Sequence, residues 1–417
     1  MAAAATTVPE SFNLVHPDDY ARHGYPHEIW RRLRREDPVH WYDRTAGVPF
    51  WAITKHADVI EVSKQPDRFV NGQRLVISHE PERRDGLFPP TLIELDPPKH
   101  GIYRQLVSKR FTPRYLEKLH ADIEQIAREI VDALVARSDS GEVDFVREVA
   151  APLPIAVIAW LLGVPKSDWN LIFDWTNRTI GAGDPEFQQA GKTPQETARE
   201  AMTETFLYFS KLVEERRRKP ADDLITLFTQ ARVDGEPLPP MDVLAYCLII
   251  VIAGNETTRN ATTGGMLAFI ENPGELRRLQ QDPGLLPSAV EEVVRWTTPI
   301  IHFARTATAD YELRGRRIRA GDALALFYPS ANRDEEVFDD PYRFRIDRNP
   351  NRHLGFGMGE HVCLGAHMAR LELVMAYKHL LPRIAEVELA GPVERLHSSL
   401  VGGVKHLPIR YKLRPSA

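Results

Sequence analysis

The chain has 417 residues, with 53 lysines and arginines against 58 aspartates and glutamates, for a formal net charge of −5. That balance argues against a general nucleic-acid-binding surface, while leaving room for a local basic patch that faces an acidic protein. Two cysteines, Cys247 and Cys363, exclude a disulfide framework and suit a reducing compartment, and 43% apolar residues suffice for a large core.

Length alone suggests two or three domains of about 150 residues each. No Gly/Ser run, charge block or repeat marks a linker, so the expectation is a single domain over 1–417, with 1–12 flexible. The stretch from Met1 to Glu10 is too short in apolar residues for a signal peptide or an anchor. No surface-flanked run reaches the roughly 20 apolar residues of a spanning helix, so a cytoplasmic protein is expected.

In chain order, 18–38 reads as an amphipathic helix ending before Pro38, and Trp41-Tyr42 with 50–54 as a hairpin. A short helix near 56–64 precedes an irregular stretch at 70–92. Helical periodicity then dominates: 99–110, 115–137, 143–163, 167–180, 195–217 and 221–231. Pro239-Pro240 opens the longest run, about 240–271, which ends before Asn272-Pro273-Gly274. Helices at 274–281, 287–297 and 365–382 follow, with short strands at 311–313, 317–318, 323–327, 386–390 and 406–412. The fold class is mainly α with small antiparallel β-sheets.

Near the end stands Phe356-Gly357-Met358-Gly359-Glu360-His361-Val362-Cys363-Leu364-Gly365. A solitary cysteine is commonly a small buried hydrophobe. Here glycines crowd it at 355, 357, 359 and 365, and glycine lets a backbone turn tightly and lie flat against a ligand. A thiolate ligand to haem iron is the chemistry such a loop could serve. The spacing Phe-x-x-Gly-x-x-x-Cys-x-Gly, carried by Phe356, Gly359, Cys363 and Gly365, resembles the cysteine-ligand loop of the cytochrome P-450 family of haem-thiolate monooxygenases. The order of elements is similar to that family's mostly helical fold over essentially the whole length.

A second segment is Val251-Ile252-Ala253-Gly254-Asn255-Glu256-Thr257-Thr258, apolar and then abruptly small and polar. Ala253 and Gly254 are small enough to let a helix pass close over a haem face. Thr257 can bond back to the Ala253 carbonyl, which tends to bend a helix. The segment resembles the family's oxygen-activation motif. The resemblance implies that Thr257 hydrogen-bonds the activated oxygen and that Glu256, where many relatives carry aspartate, relays protons to it. Relatives driven by peroxide lack this pair, so electron-driven monooxygenation is implied.

Glu292 and Arg295 lie at i and i+3 and share a helix face. In the resembled family Glu-x-x-Arg is a buried network bracing the cysteine loop, with Arg343 as the expected third member. Two haem propionates need charged or hydrogen-bonded partners, and His100, Arg104, Arg305 and His361 stand at the matching positions. With Phe356, Gly357, Gly365, Ala253 and Gly254 they form the expected haem (iron protoporphyrin IX) contacts, Cys363 being the metal ligand. The resemblance lines the substrate pocket with Ile249, Ile250, Ala253, Ile300, Ile301, Leu400 and Val401, largely apolar positions that equally suit plain core. His302 is a candidate polar handle.

The stretches 328–338 and 401–410 are most similar to bacterial terpene-alcohol hydroxylases, and 255–260 is also similar to sterol-oxidising members. The expected function is therefore hydroxylation of a lipophilic small molecule, terpenoid-like or alkylaromatic, using O2. Electrons come from NAD(P)H through a separate ferredoxin or flavodoxin and its reductase, since no segment resembles a fused reductase. Lys109, Arg110, Arg114 and Arg352 are candidates for that partner's docking face, and the enzyme is expected to act as a monomer. A steroid or fatty-acyl hydroxylase of the same family is the alternative. More distant readings are a thiolate-haem gas-binding protein without turnover, or an interaction protein whose cysteine is merely buried.

Overall fold

The computed structural model describes residues 9–79, 88–137 and 140–414. Its axis is the helix Pro240–Glu271, 32 residues and therefore about 48 Å long. Helices Pro152–Leu161, Trp169–Ile180, Pro194–Arg218, Leu286–Thr297 and Ala366–Leu380 pack around it. This central helix is the only one, among the described residues, long and apolar enough to cross a membrane, and two thirds of its apolar window is buried inside the protein. Its apolar first half joins one core cluster (Val243, Leu248, Val251). Its second half joins another (Ala261, Met266, Phe269), so the polar turn at 253–260 falls between two cores.

One sheet has five strands in the order Val39–Tyr42, Phe50–Ile53, Ala323–Phe327, His302–Ala307 and Phe69–Val70. Its pairings are antiparallel except that Ala323–Phe327 runs parallel to Phe50–Ile53, with Leu324 opposite Trp51. A three-stranded antiparallel sheet joins Ile384–Leu389, Pro408–Leu413 and Ser140–Asp144.

The mainly helical class and most elements match the expectations, and the differences have local causes. The helix expected over 18–38 is two helices, Pro17–His23 and His27–Glu36. Gly24 takes a positive φ of 70° and Pro26 follows, so the chain turns between them. The run at 143–163 starts instead as strand Ser140–Asp144, because Val143 pairs opposite Ile409, 266 residues away in sequence. The strand His302–Ala307 carries no period-two signal, because its burial is nearly continuous and its sequence His-Phe-Ala-Arg-Thr-Ala does not alternate polar and apolar residues. Of the expected flexible 1–12, residues 1–8 lie outside the described residues, whereas Phe12 is 1% exposed in the core beneath the five-stranded sheet.

Candidate active site

The cysteine loop is held by its own backbone. Cys363 N–H donates to the Phe356 carbonyl at 2.8 Å, Gly357 N–H to Leu354 at 2.9 Å, and Val362 N–H to Gly359 at 3.2 Å. Gly357 and Gly359 both take positive φ, 70° and 77°, as the tight turns demand. At Gly359 a Cβ would collide with the Ser63 carbonyl, whereas at Gly365 it would meet nothing within 4 Å. Gly359→Ala should therefore cost about 2–4 kcal/mol, read as a lower thermal midpoint and poorer haem retention. Gly365→Ala should leave the midpoint unchanged, and equal midpoints for the two variants would refute the account.

Cys363 stands three residues before the helix Ala366–Leu380, whose N-terminal dipole favours an anion there. Its thiol is solvent-accessible on its free face, although surrounding protein is dense enough for burial to push its pKa up. The Gly365 N–H, Arg104 and Arg370 act in the opposite direction and favour the thiolate. Cys363 also lines a cleft of about 410 Å³ together with Arg104, Phe111, Phe356, Val362 and Arg370. Cys247, by contrast, is fully buried and its thiol is pushed well up, a structural cysteine.

The four expected propionate partners gather beside this loop. His361 and His100 lie ring against ring, 3.9 Å between centroids. His100 Nδ1 is 3.0 Å from Glu360 Oε1, and Arg104 Nη2 donates to the Val362 carbonyl at 2.6 Å. Arg305 is buried, bonded to the Ala304 carbonyl and the Tyr328 hydroxyl, and its burial pulls its pKa down. His361 is pushed down to about 3, first by burial and then by His100, Arg305 and Arg104. Among the described residues no carboxylate hydrogen-bonds Arg104, Arg305 or His361, although Glu360 acts electrostatically on Arg104 and Asp96 on Arg305. Half-buried Arg104 and buried Arg305, neither bonded to a carboxylate, suit a dianion, and the neutral His361 ring has an N–H to donate to it. A thiol at a helix start, a basic cradle and an open Gly365 together fit haem and its two propionates.

The brace is buried to 0% exposure at both Glu292 and Arg295. Arg295 holds Glu292 by a fork, Nε to Oε2 at 2.7 Å and Nη2 to Oε1 at 2.8 Å, and ties down the carbonyls of Asn332 and Pro341. The expected third cation needs correction. The Arg343 side chain is exposed, and only its carbonyl enters the network, accepting from Arg295 and Arg348. Arg348 is the third member, its Nε 3.0 Å from Glu292 Oε2. A second brace also went unnoticed: Glu291 binds Arg370 at 2.6 and 2.8 Å and His353 at 3.0 Å, with Arg370 stacked 4.4 Å over Phe356. Burial works against the Glu291 charge, but Arg370 and His353 outweigh it and hold the carboxyl at about 2. The adjacent Glu-Glu at 291–292 was the available signal, pointing two acids to two different partners.

On the central helix Thr257 Oγ1 donates to the Ala253 carbonyl at 2.8 Å, as expected, yet the helix runs unbroken. Ala253 is exposed and Thr257 half-buried, one turn apart on the same face. Gly254 is turned elsewhere: a Cβ there would strike Ile158, so its smallness admits the helix Pro152–Leu161. Glu256 is 1% exposed and paired with Arg259, while Asn260 Nδ2 donates to the same Oε1 at 3.0 Å. Arg259 in turn bonds Asn177 Oδ1 at 2.8 Å on the neighbouring helix. Glu256 Oε2 has no hydrogen-bond partner among the described residues.

The predicted pocket residues divide. Ile249 and Ile250 are 8% exposed within the core, and Ile300 and Leu400 are half-buried. Val401 is buried and bridges Ile300. Ile301 donates its N–H to the Leu400 carbonyl at 2.8 Å, but its side chain is fully buried in the core cluster of Phe12, Leu14 and Trp30. His302 is fully buried too, so it is no polar handle: its Nε2 accepts from Ile77 N–H at 3.1 Å, and burial pulls it down to about 4. It pins strand to loop.

An accessible thiolate-competent cysteine in a glycine loop, a basic cradle and a threonine-bearing helix define a haem-thiolate protein. Residues 9–385 match the Cytochrome P450 family model, and the chain belongs to that family. It is 38% identical to Cytochrome P450-terp of a Pseudomonas species, over 98% of this chain and 99% of that one. It is 37% identical to the steroid C26-monooxygenase of Mycobacterium tuberculosis, over 99% and 96%. The Mycobacterium marinum cytochrome P450 CYP268A2 in complex with pseudoionone superposes with a TM-score of 0.89 at 32% identity, covering 97% of this chain and all of that one. The chain is a haem-dependent, O2-using monooxygenase, an oxidoreductase.

Proposed function

We propose that this monooxygenase hydroxylates an uncharged, terpenoid-like molecule in the cytoplasm, as a single-domain monomer served by a separate ferredoxin or flavodoxin and its reductase. The observation that carries the reading is the accessible Ala253–Thr257 turn of the central helix, a small apolar face with one hydroxyl. Likeness to Cytochrome P450-terp and to the pseudoionone complex supports the terpenoid class. Haem, when bound, supplies the activation of dioxygen and the transfer of one oxygen atom into a C–H bond.

The chain's own residues do the rest. Cys363 provides the thiolate; burial works against the anion, and its N-terminal helix position, the Gly365 N–H, Arg104 and Arg370 offset part of that cost. Arg104, Arg305, His100 and His361 hold the propionates. Thr257 gives its only hydroxyl proton to Ala253, so its lone pairs accept a hydrogen bond from the site. Glu256 has Oε1 committed to Arg259 and Asn260, which leaves Oε2 to carry a proton toward Thr257.

The electron donor is an acidic protein that docks over the cleft by Cys363, where Lys109, Arg114 and Arg352 are exposed around Val362, itself 39% exposed. Arg110 is removed from that set, being bonded to Asp222 at 2.9 Å and stacked over Tyr115.

Thr257→Ala should retain the carbon-monoxide spectrum and consume NAD(P)H, but yield product per NAD(P)H at least roughly tenfold lower, with peroxide in its place. Unchanged coupling would remove Thr257 from the proposal. For substrate class, monoterpene alcohols, alkylaromatics, steroids and fatty acids are titrated for the haem spin-state shift. Tightest response to a terpenoid is expected, and a steroid or fatty acid that binds tenfold better would overturn the class.

A further inference from the structure

Far from the cysteine loop, the connection between helices Trp169–Ile180 and Pro194–Arg218 is tied down by ionic contacts. Asp184, whose side chain is fully buried, accepts from Lys405 Nζ at 2.9 Å, from His397 N–H at 3.1 Å and from Glu186 N–H at 3.0 Å. Lys405 Nζ also reaches Glu186 Oε2 at 3.2 Å. Beside it, His406 Nδ1 lies 2.6 Å from Asp144 Oδ2 and its Nε2 lies 2.9 and 3.0 Å from the two Glu186 oxygens. Both ring nitrogens thus face carboxylates. Only the imidazolium has two N–H donors; a neutral ring would turn a lone pair toward one of the acids.

We propose that His406 is a pH-dependent latch, which as an imidazolium clamps the 181–193 connection to the strands Val404–His406 and Ser140–Asp144 and loosens that hold on losing its proton. The groups that face it are Asp144 from the strand Ser140–Asp144, Glu186 from the connection and Lys405 from its own strand. Its cross-strand neighbour Glu394 is exposed, and the pair His397 with Asp18 lies across the same corner. Burial lowers the histidine's pKa, but Asp144 and Glu186 outweigh it, so the net shift is upward. A group raised on folding contributes its full stabilisation below its ordinary value near 6.5 and loses it as pH rises through the folded value. The proton leaves to solvent. Lys405 is also raised, so it stays charged and keeps both Asp184 and its contact with Glu186, and deprotonation removes only the His406 tie. The loosening is therefore local to Glu186 and the residues after it. The helix that enters this connection carries Asn177, which grips Arg259 beside Glu256, so the latch restrains a helix that reaches the active centre.

The test uses the haem-loaded full chain. Amide hydrogen exchange over 185–192, corrected for intrinsic rates, is compared at pH 6 and pH 9. Protection should fall about tenfold, the scale of one charge-assisted hydrogen bond weakened by solvent, while the Pro240–Glu271 helix stays unchanged. His406→Gln should exchange at the fast rate at both pH values. Should that variant fold poorly, Glu186→Gln removes one acid and should lower the His406 midpoint seen in its proton NMR titration. Equal protection at both pH values in the wild type, an unaltered pH response in His406→Gln, or an unmoved midpoint in Glu186→Gln would each overturn the latch.

Discussion

Cys363→Ala is expected to abolish the thiolate-type, red-shifted Soret band of the reduced carbon-monoxide complex and to lower product formation at least about 10³-fold. The magnitude is that of removing a group on which the chemistry itself depends. The backbone of the loop should survive, because the bond from residue 363 N–H to the Phe356 carbonyl does not involve the sulfur. Haem can then still be cradled by Arg104, Arg305, His100 and His361, so the variant separates binding of the group from its activation. A variant that kept the thiolate-type band would exclude Cys363 as the ligand. Cys247 cannot substitute, since it is buried within the first half of the central helix.

The second large effect is expected at Glu292. Its two oxygens accept from Arg295 Nε and Nη2, Arg348 Nε, Asn351 Nδ2 and the Arg345 backbone N–H. Glu292→Ala would leave two buried guanidinium groups without counter-charge, at a cost of about 3–5 kcal/mol. For a chain this size that is a fall of roughly 3–6 °C in the thermal midpoint, measured at one fixed scan rate. The network spans 292 to 351 and ends five residues before the cysteine loop starts at Phe356, so haem retention should drop in parallel. Arg348→Ala should approach the same loss, whereas Arg343→Ala, with its exposed side chain, should stay within about 0.5 kcal/mol of wild type. The reverse order would restore Arg343 as the third cation.

What could be read from the sequence was whatever local spacing encodes. The cysteine loop is a ten-residue pattern whose turns need glycine at fixed places, and Gly357 and Gly359 do take positive φ. The back-bond from Thr257 to Ala253 and the fork from Arg295 to Glu292 each lie within one helical turn, so helix geometry alone predicts them. The limits of the central helix were equally plain, because Pro240 opens it and Asn272-Pro273 closes it. Gly254 shows where local reasoning stops. Its smallness was legible, but which neighbour it admits depended on how Pro152–Leu161 crosses it.

The sequence by itself therefore determined the chemistry: a cysteine presented by a glycine loop, an acid–threonine pair, and basic residues enough for a dianionic planar group. The tertiary structure alone decided the partners. Arg348 rather than Arg343 reaches Glu292, because the chain at 339–348 folds back so that the 343 carbonyl, not its side chain, points inward. His302 is locked to Ile77 rather than offered to a substrate, because the register of the five-stranded sheet turns it into the core. Arg370 meets Glu291 across 79 residues, and His406 meets Glu186 across 220. Such contacts join side chains whose separation along the chain carries no periodic signal, so only the packing of helices and sheets brings them together.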